Sequence, residues 1–329
     1  MKKIVLFVTS VIVSGFIVSC SGSGKEQQNI APTLCKMKCE YVPDSCEAVI
    51  YGKNLTNVEV IFPGDKVAEV VADKSNDSVL TVIVPAGSKE GKITVKNNVG
   101  ETKSSFIFRD ARNTIVNFDR RLATWGGYSP MNEDGDLITG TLEYGNEITP
   151  FPNGAKLPEP CDGNYGFLYG KYKNAWEMNQ CMYLQYVANP SEGGRGKISV
   201  AGDAFDAYEL DELALKFEVY IPKEIGYKGI KTEIFFGPID AADKHGRDLS
   251  AICFWEPYKK NGTFSTDTWE TVTIPLTEFN HSSKSDEADP NIKINLKEAT
   301  NFSFLQFGSP ASEEQIFMCV DNFRIVPIK

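Results

Sequence analysis

The sequence predicts an all-β protein built as two successive β-sandwiches, and three observations lead there. Between Ala31 and Arg109 short apolar runs are separated by Gly, Pro and Asn clusters, leaving no room for a helix of normal length. From Leu213 to Ile221, Leu213, Leu215, Phe217, Val219 and Ile221 share one strand face, with Lys216, Glu218 and Tyr220 on the other. The 329 residues are 42% hydrophobic and 24% charged, which is ordinary globular composition and room for two domains.

The chain opens on Lys2 and Lys3, an apolar run from Ile4 to Val18, and Ile17-Val18-Ser19-Cys20, which resembles a bacterial lipobox. Residues 1–19 are read as a lipoprotein signal peptide and Cys20 as the lipidated residue. The small polar stretch after it makes 20–30 a flexible tether. The run is too short and wrongly flanked for a membrane span, so the expectation is a protein anchored to the membrane by lipid only.

Residues 31–109 form the first domain. Its expected strands are Ala48–Tyr51, Val58–Phe62, Val67–Val71, Val79–Val84, Lys92–Val95 and Ser105–Phe108, closed by Gly52-Lys53-Asn54, Pro63-Gly64-Asp65, Pro85-Ala86-Gly87 and Asn97-Asn98. Residues 110–329 form the second domain. After a loop-rich first part, strands are expected at Gly166–Tyr169, Met182–Val187, Leu213–Ile221, Lys231–Phe236, Ala251–Trp255, Thr271–Ile274, Phe302–Phe307 and Ile316–Val326. Eight to ten antiparallel strands over this length describe a jelly roll, and the polar side of Leu213–Ile221 implies a sheet with one solvated face.

The stretch from Ala251 to Phe279 is the expected working surface. Alternation puts Ile252 and Phe254 on one face, read as core, and Trp255 on the other, just before Pro257 and Tyr258 end the pairing. Trp255 and Tyr258 are then aromatic rings beside a polar loop, suited to packing on the C–H face of a pyranose. Trp269 reads as core. Trp125 and Trp176 lie in loops among Gly, Asn and Lys and are further ligand candidates. Phe235 and Phe236 point to opposite faces, and both are core only if both faces are covered.

Two resemblances follow from motifs in order. Ile50-Tyr51-Gly52-Lys53-Asn54-Leu55, Val60-Ile61-Phe62-Pro63-Gly64, Val82-Ile83-Val84-Pro85-Ala86-Gly87 and Gly91-Lys92-Ile93-Thr94-Val95 resemble an IPT/TIG immunoglobulin-like domain, which implies a spacer. Phe217-Glu218-Val219-Tyr220-Ile221-Pro222, Trp255-Glu256-Pro257-Tyr258, Trp269 to Leu276, and Val320-Asp321-Asn322-Phe323-Arg324-Ile325-Val326 are similar to the carbohydrate-binding domain of surface glycan-binding lipoproteins of polysaccharide-utilisation systems. That resemblance implies a platform role for Trp255 and Tyr258. A third family aromatic has Tyr227 as its nearest match here, with Ile225 as the apolar alternative.

Net charge is −10, and loss of Lys2 and Lys3 makes it more negative, which argues against nucleic acid and anionic surfaces as partners. Seven cysteines besides Cys20 cannot form a closed disulfide set, and Cys35, Cys39 and Cys46 lack zinc-site spacing. His245 and His281 sit in polar loops without a nucleophile motif and read as solvated. Glu133, Asp134 and Asp136 lack the pattern of a calcium loop; a structural calcium on Asp321 or loop carbonyls stays open, and no cofactor or other metal is expected.

The expected function is non-catalytic retention of an extracellular polysaccharide at the outer membrane, beside an importer complex. The alternatives are a glycoside hydrolase or esterase on a jelly-roll scaffold, or a structural adhesion protein.

Overall fold

The computed structural model describes residues 30–118, 152–171, 183–187, 208–237, 250–296, 299, 301–308 and 315–328. It is an all-β protein of antiparallel sheets. The first sandwich comprises β1 (Thr33–Met37), β2 (Glu47–Lys53), β3 (Glu59–Phe62), β4 (Lys66–Val67), β5 (Glu69–Val70), β6 (Val79–Ile83), β7 (Thr94–Lys96) and β8 (Glu101–Lys103). These form two four-stranded sheets, β1-β2-β6-β5 and β4-β3-β7-β8. Ile50, Val60, Leu80, Val82 and Val95 meet between them with essentially no exposed surface. The expected strand at Ser105–Phe108 is reduced to one bridge, Gly91 to Phe108, and β8 takes its place earlier in the chain.

The second, larger sandwich is a jelly roll. It comprises β9 (Thr114–Val116), β10 (Gly166–Lys171), β11 (Tyr183–Val187), β12 (Leu213–Tyr220), β13 (Ile230–Gly237), β14 (Ala251–Trp255), β15 (Glu270–Pro275), β16 (Asn301–Gly308) and β17 (Gln315–Pro327). One sheet runs β10-β17-β12-β15 with β9 also on β17, and the other runs β11-β16-β13-β14. Leu213, Leu215, Phe217, Val219 and Ile221 face the second sheet, where Ile234, Phe236, Phe302 and Phe304 close the core. Phe217 lies at the centre, stacked on Phe323 at 4.9 Å and edge-on to Phe304 at 5.5 Å.

The polar side of β12 is not solvated, contrary to its alternation. Lys216 is 6% exposed and Glu218 is 0% exposed, because this face of the sheet packs against the first sandwich. Trp269, Tyr165, Phe167 and Phe317 join Met37, Tyr41, Val42 and Val84 in one apolar cluster across the junction, which bears out Trp269 as core. Its indole Nε1–H donates to Glu159 O at 2.8 Å.

Within the junction lies a paired ionic network. Arg324 donates to Glu218 Oε2 at 2.7 Å and Glu40 Oε2 at 2.9 Å, and Lys216 pairs with the other oxygen of Glu40. Thr271 donates to Glu218 from its hydroxyl, and its backbone N–H donates to Lys38 O at 2.8 Å. A β-bulge aims these groups: between the pairs Lys216 to Arg324 and Glu218 to Asp321, β17 carries two residues where β12 carries one. Asn322 supplies the left-handed backbone the bulge requires, at φ 50°.

Next to this network Asp321 is enclosed beside Asp162. Burial first, then the charge of Asp162, pushes its carboxyl well above the usual carboxylate range. A carboxyl that holds its proton more tightly when folded stabilises the fold at low pH. That contribution is lost as pH rises from the ordinary carboxylate range through the raised folded value. Urea unfolding between pH 5 and 8 is therefore expected to show a midpoint that falls as pH rises, and Asp321→Asn is expected to flatten that slope. A midpoint that rises with pH in the parent, or an unchanged slope in the variant, contradicts this.

Candidate functional site

Two of the predicted ligand aromatics are inside the jelly roll. Trp255 is 9% exposed, stacked on Tyr227 at 5.6 Å and edge-on to Phe217 and Phe264 at 5.5 and 5.8 Å. Tyr227 is 1% exposed, and its hydroxyl shares a 2.6 Å hydrogen bond with Thr232 Oγ1, which donates to Gln306 Oε1 at 2.8 Å. Neither ring presents a face to solvent, so two expectations are corrected, Trp255 as half of a platform with Tyr258 and Tyr227 as the third contact: both rings are core. The local backbone enforces this. Tyr227 exchanges both backbone hydrogen bonds with Phe264, and Gly226, at φ 70°, leaves the space that a side chain would take from Thr263. Ile225, the apolar alternative, packs partly buried at the junction.

Tyr258 is half-buried, edge-on to Tyr227 at 5.4 Å, with its hydroxyl donating to Glu256 at 3.0 Å. Burial and the Glu256 charge push its phenol up. Trp125, Trp176, Cys20, His245 and the Glu133–Asp136 loop lie outside the described residues.

Alternation in β14 was read with the correct partition, but both faces are covered at Ile252, which has no exposed surface, and only Phe254 departs from the core reading. Ala251, Cys253 and Trp255 belong to the core, while Phe254 points outward and is half-buried. Pairing with β13 puts Phe254 opposite Glu233, on the face that also carries Lys231. Lys231 Nζ lies 4.0 Å from the centre of the Phe254 ring, and reaches Asp286 at 2.9 Å and Glu233 at 3.4 Å. The His281 ring lies 4.4 Å from Phe254, held there by two backbone hydrogen bonds between His281 and Ile252. His281 is thus half-buried against an aromatic ring and not fully solvated, and its Nδ1 is enclosed without a hydrogen-bond partner. Phe235 and Phe236 are both 1% exposed, so both faces of β13 are covered at that end. Among the described residues, this outer face carries the Phe254 patch: the half-buried Phe254 ring with the Lys231 ammonium, the His281 imidazole and the exposed Asp286 carboxylate around it, and Glu233 buried beside Lys231.

Asp321, the side chain on which a structural calcium was left open, is grouped here with Cys161 and Asp162, and this trio alone is a poor match to that ion. Cys161, Asp162 and Asp321 bring three potential ligand atoms within 4.8 Å of one another, but one is a thiol, and calcium takes six to eight oxygens. Asp321 already accepts from the Asn322 N–H at 2.7 Å and from Cys161 Sγ at 3.4 Å. Among the described cysteines Cys35 and Cys46 are exposed, Cys39, Cys161, Cys253 and Cys319 are buried, and all six are free thiols.

Residues 108–327 match the family described as the surface glycan-binding protein B xyloglucan binding domain, well over half of the chain. The chain belongs to the surface glycan-binding protein B family. This is a family of cell-surface glycan-binding proteins, and the jelly roll described above is its binding-domain region. The fold is similar to a surface glycan-binding protein B from Prevotella bryantii, at 19% identity and a TM-score of 0.60, covering 91% of this chain and 77% of that one. It is also similar to the protein B of a complex xyloglucan utilisation locus in Bacteroides uniformis, at 20% identity and a TM-score of 0.55, covering 91% and 73%. A third similar structure, solved with a xylogluco-oligosaccharide, has 16% identity and a TM-score of 0.57, covering 90% of this chain and 58% of that one. No curated protein matches the sequence. Among the described residues of this surface glycan-binding protein B family member, no helix is long and apolar enough to cross a membrane.

Proposed function

We propose that this protein holds an extracellular polysaccharide at the cell surface without cleaving it, on the outer face of the β11-β16-β13-β14 sheet. The family match over residues 108–327 carries the reading, and the chemistry of the Phe254 patch supports locating it there. A pyranose has an apolar C–H face that packs on an aromatic ring, and its hydroxyls take the neighbouring ammonium, imidazole and carboxylates. Lys231, which now caps Phe254, is long enough to move aside and donate to a hydroxyl. A neutral chain as ligand agrees with the net charge of −10.

A non-catalytic role is supported by the state of the two acids. Both carboxylates lie within ion-pair distance of Lys231, and the Asp286 carboxyl is held below the usual range by its hydrogen bond to that ammonium, so Asp286 is not poised to protonate a leaving group. In this reading Cys20 carries the lipid, residues 31–109 lift the jelly roll from the membrane, and an outer-membrane importer receives the retained chain. Retention then comes from tethering many weak sites at one surface.

Native gels cast with soluble polysaccharides test this. The parent protein is expected to be retarded by at least one neutral glucan, with no reducing sugar released. Phe254→Ala is expected to abolish that retention, a loss of about 2 kcal/mol, with a nearly unchanged melting temperature because the ring is only half-buried. Retention without change in the variant moves the site elsewhere; no retention by any polysaccharide defeats the function, and released reducing sugar supports the hydrolase.

A further inference from the structure

Between the turns Leu210–Glu212 and Leu276–Glu278 and the segment carrying Asn280 and Ile292, the chain builds a second hollow that the Phe254 patch does not use. It has a volume of about 400 Å³, a size that accepts small ligands. Its floor is apolar, formed by Leu276 and Phe279, each 1% exposed, with Ile292 partly buried beside them. Its rim mixes donors and acceptors: the carboxylate of Asp211, the hydroxyl of Thr277, the amide of Asn280 and the ammonium of Lys293. One of these groups is unfinished. Asn280 Oδ1 is enclosed and has no hydrogen-bond partner, a state that costs free energy unless a donor arrives.

The segment Phe279-Asn280-His281 joins this hollow to the patch. Asn280 lines the hollow while His281, the next residue, packs on Phe254 at 4.4 Å. Consecutive Cα atoms are about 3.8 Å apart, so the two places are within reach of one oligosaccharide. An apolar floor under hydroxyl-binding groups of both kinds is the chemistry of a pyranose. The rim carries two carboxylates, Glu209 and Asp211, against one ammonium, which disfavours an acidic sugar.

We infer that this hollow is a second saccharide subsite, holding one neutral pyranose of the chain that lies against Phe254. The inference rests on the proposed function, and its occupant is a branch sugar or the sugar at the end of the bound chain.

Calorimetric titration of the full protein with a xylogluco-oligosaccharide, and with an unbranched mixed-linkage heptasaccharide, separates the two ideas. Thr277→Trp fills the hollow from an exposed rim position, and Asp211→Ala combined with Lys293→Ala removes rim groups without adding bulk. Each is expected to weaken binding of at least one oligosaccharide tenfold or more while the melting temperature stays within a few degrees. If Thr277→Trp does not fold, the rim variant decides. Parent-like affinity in the rim variant, or in a folded Thr277→Trp, overturns the subsite and leaves the proposed function standing. A parent protein that binds neither oligosaccharide nor any polysaccharide overturns both.

Discussion

Trp255→Ala is expected to lower stability by about 3–5 kcal/mol, because it empties a site enclosed by Phe217, Tyr227, Phe264 and Phe304. For a sandwich of this size the melting temperature should fall on the order of 10 °C. The ring also supports its neighbours. Tyr227 stacks on it with an interplanar angle of 17°, and that phenol anchors the Thr232 and Gln306 hydrogen bonds inside the core. Any loss of glycan binding by this variant is then a folding effect, seen as a loss in cooperative unfolding at the same temperature. A variant with parent-like stability and no binding would return the indole to the ligand surface.

Arg324→Met is the second large effect, also about 3–5 kcal/mol. Arg324 has no exposed surface and pairs with both Glu218 and Glu40, so its removal leaves two buried carboxylates with Lys216 as the nearest cation in the network. The cost is that of an uncompensated buried charge, more than of a lost attraction. Adding Glu218→Met is therefore expected to recover part of the stability, since the second substitution removes the charge left unpaired. Equal or greater destabilisation in the double variant, measured by urea unfolding, contradicts this reading. The network ties the sandwiches together, so these losses should appear as one transition that includes the first sandwich.

The strands were legible where alternation was clean. Leu213 to Ile221 and the Val79 run are long enough for period two to stand out, and they form β12 and β6. β1 was missed because a register shift between Leu34 and Lys36 breaks its alternation, leaving an irregular buried pattern over Thr33–Met37. What alternation cannot say is which face meets another layer. In β14 it separated Phe254 from Trp255, but the choice of core face depends on the β13 register, where Lys231 and Glu233 mark the outside. In β12 the polar residues read as solvated because their cover comes from far away. Glu40 lies 176 residues from Lys216 and 284 from Arg324. Local sequence contains no trace of such a partner. His281 was misjudged for the same reason: a polar loop in sequence becomes a packed residue once its backbone pairs with Ile252.

A crystal structure of the protein with a bound xylogluco-oligosaccharide tests the location of binding most directly. The predicted result is a sugar ring against Phe254, with hydroxyls in reach of Lys231 and Asp286, and Trp255 still enclosed on the other side of β14. A saccharide seated instead on Trp255 and Tyr227, reached by opening the core, or on the first sandwich alone, would contradict it.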